Sequence, residues 1–426
     1  MNDAKKLMEE LQSGVYDEKL CDIYVDPGSI AYQKSRYIKA LEQYLSYFEK
    51  GDVCIYSAPG RTEIGGNHTD HQHGQVLAAS IDLDAIAVVS SLEETWVKVV
   101  SDGYDMITVP LEDLEVKEEE KGTTKALIKG VLAGVKKQGY EIGGFGAYIT
   151  SDVLIGAGLS SSAAYETLIG TILSGLYNHM SIPAMEIAMI GQYAENVYFG
   201  KPCGLMDQMA CSVGGPIHVD FADPDAPKVE KLQVDMDEFG YCLCITDTKG
   251  SHADLTDEYA AVPEEMKKVA GFFNKEVLLD VDWDMLLSHI GELRKEAGDR
   301  AVLRAIHFIG ENERVKKQTA ALKQGAFHEF LKLVKESGAS SFQYLQNVYS
   351  NKDVAHQNVS LALALSDMHL GERGVSRVHG GGFAGTIQAF VKKDEAAAYR
   401  KMMDGIFGEG SCNILRIRKY GGIQVL

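Results

Sequence analysis

Leu154-Ile155-Gly156-Ala157-Gly158-Leu159-Ser160-Ser161-Ser162-Ala163-Ala164 is the stretch on which the fold turns. Gly156 and Gly158 make a tight loop, and Ser160 stands where it can cap a helix running to about Tyr177. Ala164, Leu168, Ile169, Ile172, Leu173 and Leu176 fall on one face of that helix. A glycine-rich loop feeding a helix N-terminus offers converging N–H groups and the positive end of the helix dipole, which suits phosphate. Neither GxxxxGK[ST] nor GxGxxG fits this loop, so it is neither a P-loop nor a dinucleotide fingerprint.

Three further segments carry chemistry. Upstream, a strand at Val53–Ser57 runs into a turn made by Pro59 and Gly60, then Arg61 and the polar cluster Asn67-His68-Thr69-Asp70-His71-Gln72-His73. The histidines and Asp70 are metal-ligand types, but their spacing matches no helical or knuckle pattern. Hydrogen bonding to a polyhydroxylated ligand suits this mixed set of donors and acceptors better. Downstream, Ser181 and Pro183 open a helix that ends near Tyr198 and puts Glu195 in its last turn, where the dipole disfavours a carboxylate and a nearby cation is expected. Gly200-Lys201-Pro202-Cys203-Gly204-Leu205-Met206-Asp207-Gln208 follows, with Asp207 expected in the first turn of another helix. Last, His379-Gly380-Gly381-Gly382-Phe383-Ala384-Gly385 enters the first of two closing strands, expected over Phe383–Val391 and Ile414–Lys419, and such a glycine run implies close backbone approach to a ligand or another loop.

In this order the four segments resemble the GHMP sugar kinases, and within them the galactokinase family. The family signature GRxNxIGEHTDYxxG stands here as Gly60-Arg61-Thr62-Glu63-Ile64-Gly65-Gly66-Asn67-His68-Thr69-Asp70-His71-Gln72-His73-Gly74. The phosphate loop PxGxGLSSSA matches Leu154–Ala163 with Leu154 for proline, and GxPCGxMDQ matches Gly200–Gln208. TGGGFGG appears as His379–Gly385, with His379 for threonine and Ala384 for glycine. Arg304–Val315 is similar to a helix of the family, and Asp257-Glu258-Tyr259 to its SEY; the likeness spans roughly residues 27–426.

The resemblance implies an α+β, two-lobed GHMP kinase fold. An N-terminal lobe over 15–225, related to ribosomal protein S5 domain 2, would carry the phosphate loop, and a ferredoxin-like lobe would cover 226–426. ATP and sugar would meet in the cleft between them, with galactose phosphorylated on its anomeric hydroxyl to give galactose 1-phosphate and ADP. Asp207 would be the base and Arg61 its partner. Gly156, Ala157, Gly158, Leu159, Ser160, Ser161 and Ser162 would cradle the ATP phosphates, with Ser101 a further nucleotide contact. Ser162 and Glu195 would hold Mg²⁺, and Asn67, His68, Thr69, Asp70 and Tyr259 would bind the sugar.

Asn67 stands where the signature has glutamate, which would relieve repulsion against a sugar acid, and Asp70-His71-Gln72 resembles the DHQ of plant galacturonokinases. Galacturonate is therefore the alternative substrate. A sugar- and ATP-binding sensor without turnover should show damage in the serine-rich loop or the base, and none is present.

Composition agrees with a small-molecule enzyme. The 426 residues carry 42 Lys and Arg against 61 Asp and Glu, a net charge of −19, which argues against nucleic acid or an anionic membrane as partner. No protein partner is called for. Neither a signal-peptide core nor an apolar run of roughly 18 residues is found, so no membrane span is expected. Seven scattered cysteines without a CxxC pair read as free thiols in the cytoplasm.

Overall fold

The computed structural model describes residues 2–49, 51–153, 158–250 and 255–426. Strands β1 (Asn2–Asp3), β2 (Asp52–Gly65), β3 (Gln75–Ser91), β4 (Trp96–Ser101), β5 (Ile107–Pro110), β6 (Phe145–Ser151), β7 (Pro216–Asp220) and β8 (Lys228–Lys231) form a first, mixed sheet. Its main order is β1-β2-β3-β6-β4-β5, with β4 and β6 parallel. The second sheet, β10-β11-β9-β12, is antiparallel and uses β9 (Tyr241–Asp247), β10 (Gly374–His379), β11 (Thr386–Lys392) and β12 (Cys412–Leu415). The chain then returns, and β13 (Ile423–Gln424) pairs with β2 in the first sheet. The division expected after residue 225 falls between β7 and β8, two strands that pair with each other.

Helices cover both faces of the first sheet. On one side α1 (Ala4–Ser13), α2 (Asp17–Tyr24) and α3 (Ile30–Tyr47) close a core in which Tyr37, Ala40, Leu41 and Tyr44 recur at helical spacing against Ile55, Val88 and Tyr148. On the other, α4 (Thr124–Lys137), α5 (Ser161–Asn178) and α6 (Ala184–Tyr193) bury Ile128, Val131, Leu168, Ile172 and Ile187 against Val97 and Ala147. The short α7 (Met206–Val213) packs its Met209 and Ala210 against Val76 and Ile217.

The second half is mainly helical: α8 (Thr256–Phe272), α9 (Trp283–Ser288), α10 (Ile290–Glu296), α11 (Asp299–Lys323), α12 (Phe327–Ser340), α13 (Asn358–Leu370) and α14 (Ala396–Phe407). Phe330 and Val334 of α12 pack with Leu243 and Ile245 of β9, and with Leu77 and Ile81 of β3, so one core joins both sheets.

Three boundaries differ from those expected, each for a local reason. The strand expected to stop at Ser57 continues to Gly65, because a bulge between Pro59 and Arg61 turns it without ending its pairing with β3. The strand expected from Phe383 starts only at Thr386, since Phe383 has φ 58°, a left-handed conformation that extends the glycine turn. The strand expected over 414–419 ends at Leu415. There the chain crosses to the first sheet, where the Arg418 N–H donates to the Ser80 carbonyl at 3.1 Å.

Candidate active site

Arg61, just beyond the bulge in β2, and Asp207, in the first turn of α7, meet in a two-point ion pair. Arg61 Nε donates to Oδ1 at 2.6 Å and Nη2 to Oδ2 at 2.8 Å. Burial pushes the Asp207 carboxyl up, but the Arg61 charge and hydrogen bonds, with one from Ser160, outweigh it and hold the group below its usual range. Arg61 Nη1 also donates to the Gly158 carbonyl, and its backbone N–H donates to Leu159 at 3.1 Å. The described part of the phosphate loop is thus fixed to the strand that carries the arginine.

Ser160 does not cap α5 with its side chain. It takes the left-handed conformation, φ 56°, and directs its hydroxyl to Asp207 Oδ2. The amides that open α5 therefore have no side-chain acceptor from Ser160. Gly156 and Ala157 lie outside the described residues.

Two cavities meet at this ion pair. One, about 520 Å³, runs along Gly158–Ser162, Lys201 and the glycine turn at Gly380–Gly382. The other, about 730 Å³, is lined by Glu63, Asn67, His68, Asp70, His71 and Gly204. Arg61, Asp207 and Tyr259 border both.

In the phosphate-loop half, Ser162 Oγ donates to Glu195 Oε1 at 3.2 Å. Glu195 is buried in a π-helical turn, Ala194–Phe199, that continues α6, a local widening often found at functional sites. The expectation of a cation beside this carboxylate was for Mg²⁺; the structure also sets Lys201 there, its Nζ 3.2 Å from Glu195 Oε1. Gln208 Nε2 bridges Glu195 at 2.9 Å and Glu166 at 3.1 Å. Burial, then the neighbouring Glu195, raises the Glu166 carboxyl well above its ordinary value, and its buried Oε1 has no hydrogen-bond partner. A hydroxyl and a carboxylate, backed by further oxygen, form a donor set that fits Mg²⁺. Ser101 ends β4 opposite Ile149 of the parallel β6 and lines neither cavity.

In the other half the expected residues part company. His68 and Asp70 face the cavity. His68, held neutral because burial lowers it to about 4, hydrogen-bonds the Gly381 carbonyl through Nε2 at 3.0 Å. Asp70 is raised to about 6, by burial first and then by the neighbouring Asp207. A Cβ on Gly204 would lie 1.9 Å from Asp70 Oδ2, so only glycine admits that carboxylate. Tyr259 lies over Gly381, and its hydroxyl donates to the Gly382 carbonyl at 2.8 Å. Thr69 is fully buried and spends its hydroxyl on the Gly66 and Gln75 carbonyls, which makes it a brace for the loop.

Asn67 borders the cavity with both ends of its amide already engaged. Oδ1 accepts from Asn347 at 2.8 Å, and Nδ2 donates to Gly380 at 2.7 Å and to Glu63 Oε1 at 3.1 Å. Glu63 was missed by the sequence reading, although a signal existed: it stands where the signature has asparagine, as Asn67 stands where it has glutamate. The pair is exchanged and in contact. His379 is a buried clamp whose Nε2 accepts the Glu63 N–H at 3.2 Å and whose Nδ1 meets Thr386 Oγ1 at 3.0 Å. Among the described residues no three His, Cys, Asp or Glu side chains cluster as a metal site, so the His68–His73 run forms none.

This architecture is the GHMP kinase fold. A family model described as "GHMP kinases N terminal domain" matches residues 126–215, and "Galactokinase galactose-binding signature" matches 42–91. Lactococcus lactis galactokinase, solved with galactose, superposes with a TM-score of 0.76 at 24% identity, over 90% of this chain and 98% of that one. The Methanococcus jannaschii mevalonate kinase gives 0.58 at 16%, over 86% and 99%. In sequence, a galactokinase of Glaesserella parasuis serovar 5 is 30% identical over 366 residues, 85% of this chain and 90% of its own. One of Limosilactobacillus reuteri is 28% identical over 383 residues, 86% and 93%. The chain belongs to the galactokinase family.

Proposed function

We propose that the protein transfers the γ-phosphoryl group of ATP to the anomeric hydroxyl of galactose, giving galactose 1-phosphate and ADP. The observation that carries this reading is the Arg61–Asp207 ion pair at the junction of the two cavities. A carboxylate kept ionised accepts the hydroxyl proton, and the guanidinium beside it offsets charge on the phosphoryl group in transit. Phosphoryl transfer has a loose transition state, so positioning and charge neutralisation are most of the catalysis. The N-terminus of α5 and Lys201 supply positive potential for the phosphates. Ser162 and Glu195 would hold Mg²⁺, which when bound neutralises phosphate charge. His68 and Asp70 would orient the sugar. Seven cysteines with no disulfide among the described residues support a reducing, cytoplasmic setting, and among those residues no helix is long and apolar enough to cross a membrane.

Galacturonate is not favoured. That alternative rested on a lost negative charge at position 67, but the Glu63 carboxylate touches the Asn67 amide and lines the same cavity, with Asp70 close by. The wall remains acidic and repels a sugar carboxylate. Purified protein with MgATP should release ADP with galactose and far more slowly with galacturonate, N-acetylgalactosamine or L-arabinose. No release with galactose, or faster release with galacturonate, would overturn the assignment.

A further inference from the structure

Glu63 is 3% exposed, lines the cavity that holds His68 and Asp70, and has no part in the chemistry described above. Its hydrogen bonds are lopsided. Oε1 accepts from Arg377 Nη2 at 2.7 Å and from Asn67 Nδ2 at 3.1 Å. Oε2 receives only the 3.4 Å edge of that same amide. A buried carboxylate can accept about four hydrogen bonds and is costly to leave short of donors.

The carboxylate is also firmly held. Arg377, fully buried on β10 of the other sheet, places Nη1 on the Ile64 carbonyl at 2.7 Å while balancing the Glu63 charge. The Glu63 N–H is fixed by His379, and the preceding Thr62 Oγ1 accepts from Gln388 at 2.6 Å. An acceptor pinned from both sheets, with one oxygen under-used at a cavity wall, is built to meet a donor from a ligand.

Resting on the galactose-kinase reading above, we infer that Glu63 is a specificity-determining residue whose Oε2 accepts a hydrogen bond from one non-anomeric hydroxyl of the neutral hexose. Asn67 and Arg377 act through it as positioning residues. The arrangement selects for a hydroxyl and against a carboxylate at the same point on the sugar.

The test is a set of steady-state measurements on wild type and Glu63→Gln with galactose and its 2-, 3-, 4- and 6-deoxy forms. Losing a hydrogen bond to a charged acceptor should raise KM for galactose roughly 10- to 100-fold while kcat changes less than about threefold. For one deoxy sugar, which lacks the partner hydroxyl, the substitution should make almost no difference. A purely structural role predicts the same penalty for every sugar. That result, or no penalty with galactose, overturns the inference. If Glu63→Gln fails to fold because Arg377 is left unpaired, the double variant Glu63→Gln with Arg377→Met removes both charges and is compared in the same way. A wild type that does not phosphorylate galactose would instead remove the functional reading beneath it.

Discussion

In the proposed mechanism Asp207 and Arg61 have separable tasks, and substitution should distinguish them. Asp207→Asn removes the proposed proton acceptor and should lower kcat at least ~10²-fold, with the fold intact by circular dichroism. Arg61→Ala removes a charge-stabilising donor and should cost on the order of 10²–10³ in kcat. Near-normal turnover in Asp207→Asn would leave the base unassigned. Asp70 gives a pH signature of its own. Its carboxyl, raised to about 6, is charged at neutral pH and gains its proton just below. KM for galactose should therefore rise as pH falls through about 6, and Asp70→Asn should flatten that limb. Most of these side chains were legible in the sequence because each lies in a short motif whose spacing is local. Ser160 was not. Its place before α5 suggests a cap, but its left-handed backbone sends the hydroxyl to a residue 47 positions away.

At the scale of elements, α11 keeps the loop over residues 66–75 in shape. His307 Nε2 meets the Asn67 carbonyl at 2.9 Å, Glu311 Oε1 accepts the Gly66 N–H at 3.1 Å, and Asn312 Oδ1 accepts the Gln75 N–H at 2.8 Å. Burial alone would raise Glu311, but the charges of His307, Arg314 and Arg377, with a hydrogen bond from Ser337, bring it down to about 2. An unfolded glutamate titrates near ~4.3, so this group's stabilisation, roughly 3 kcal/mol, is complete above that value and is lost as pH falls towards 2. Glu311→Gln should lower Tm at pH 7 and flatten the stability profile between about pH 5 and 2, followed by urea unfolding. A variant as acid-sensitive as wild type would assign that window to other carboxylates. The helix itself was readable from the family likeness of Arg304–Val315. Its grip on a loop some 240 residues earlier was not, because no local pattern encodes a long-range contact.

Across the whole molecule, one buried ionic cluster ties distant parts of the chain together. Asp84 on β3 accepts from Arg36 of α3 at 2.6 Å and from Arg418 near the C-terminus at 2.9 Å, and Tyr24 adds a hydrogen bond at 2.9 Å. Burial pushes the Asp84 carboxyl up, yet the two arginines hold it below its usual range. Asp84→Ala would strand the buried Arg418 guanidinium and leave Arg36 with Asp152 alone, and should destabilise the protein by about 3–5 kcal/mol, read as a lower midpoint in urea. A change under about 1 kcal/mol would mean that water already shares their solvation. The two-lobed plan was legible through the family resemblance, whereas the return of residues 416–426 to the first sheet was not. Arg418 reads as an ordinary charged residue until Asp84 is seen beside it.

That return has a consequence for how the protein is made. Residues 423–424 pair with a strand that emerges from the ribosome some 360 residues earlier, at the slow synthesis rates of roughly 5–20 residues per second. For tens of seconds the nascent β2 edge awaits β13, and the Asp84–Arg36 pair awaits Arg418, neither yet translated. The growing chain therefore presents an unfinished, sticky margin throughout elongation, and its yield in the cell should depend on chaperone supply more steeply than its final stability suggests.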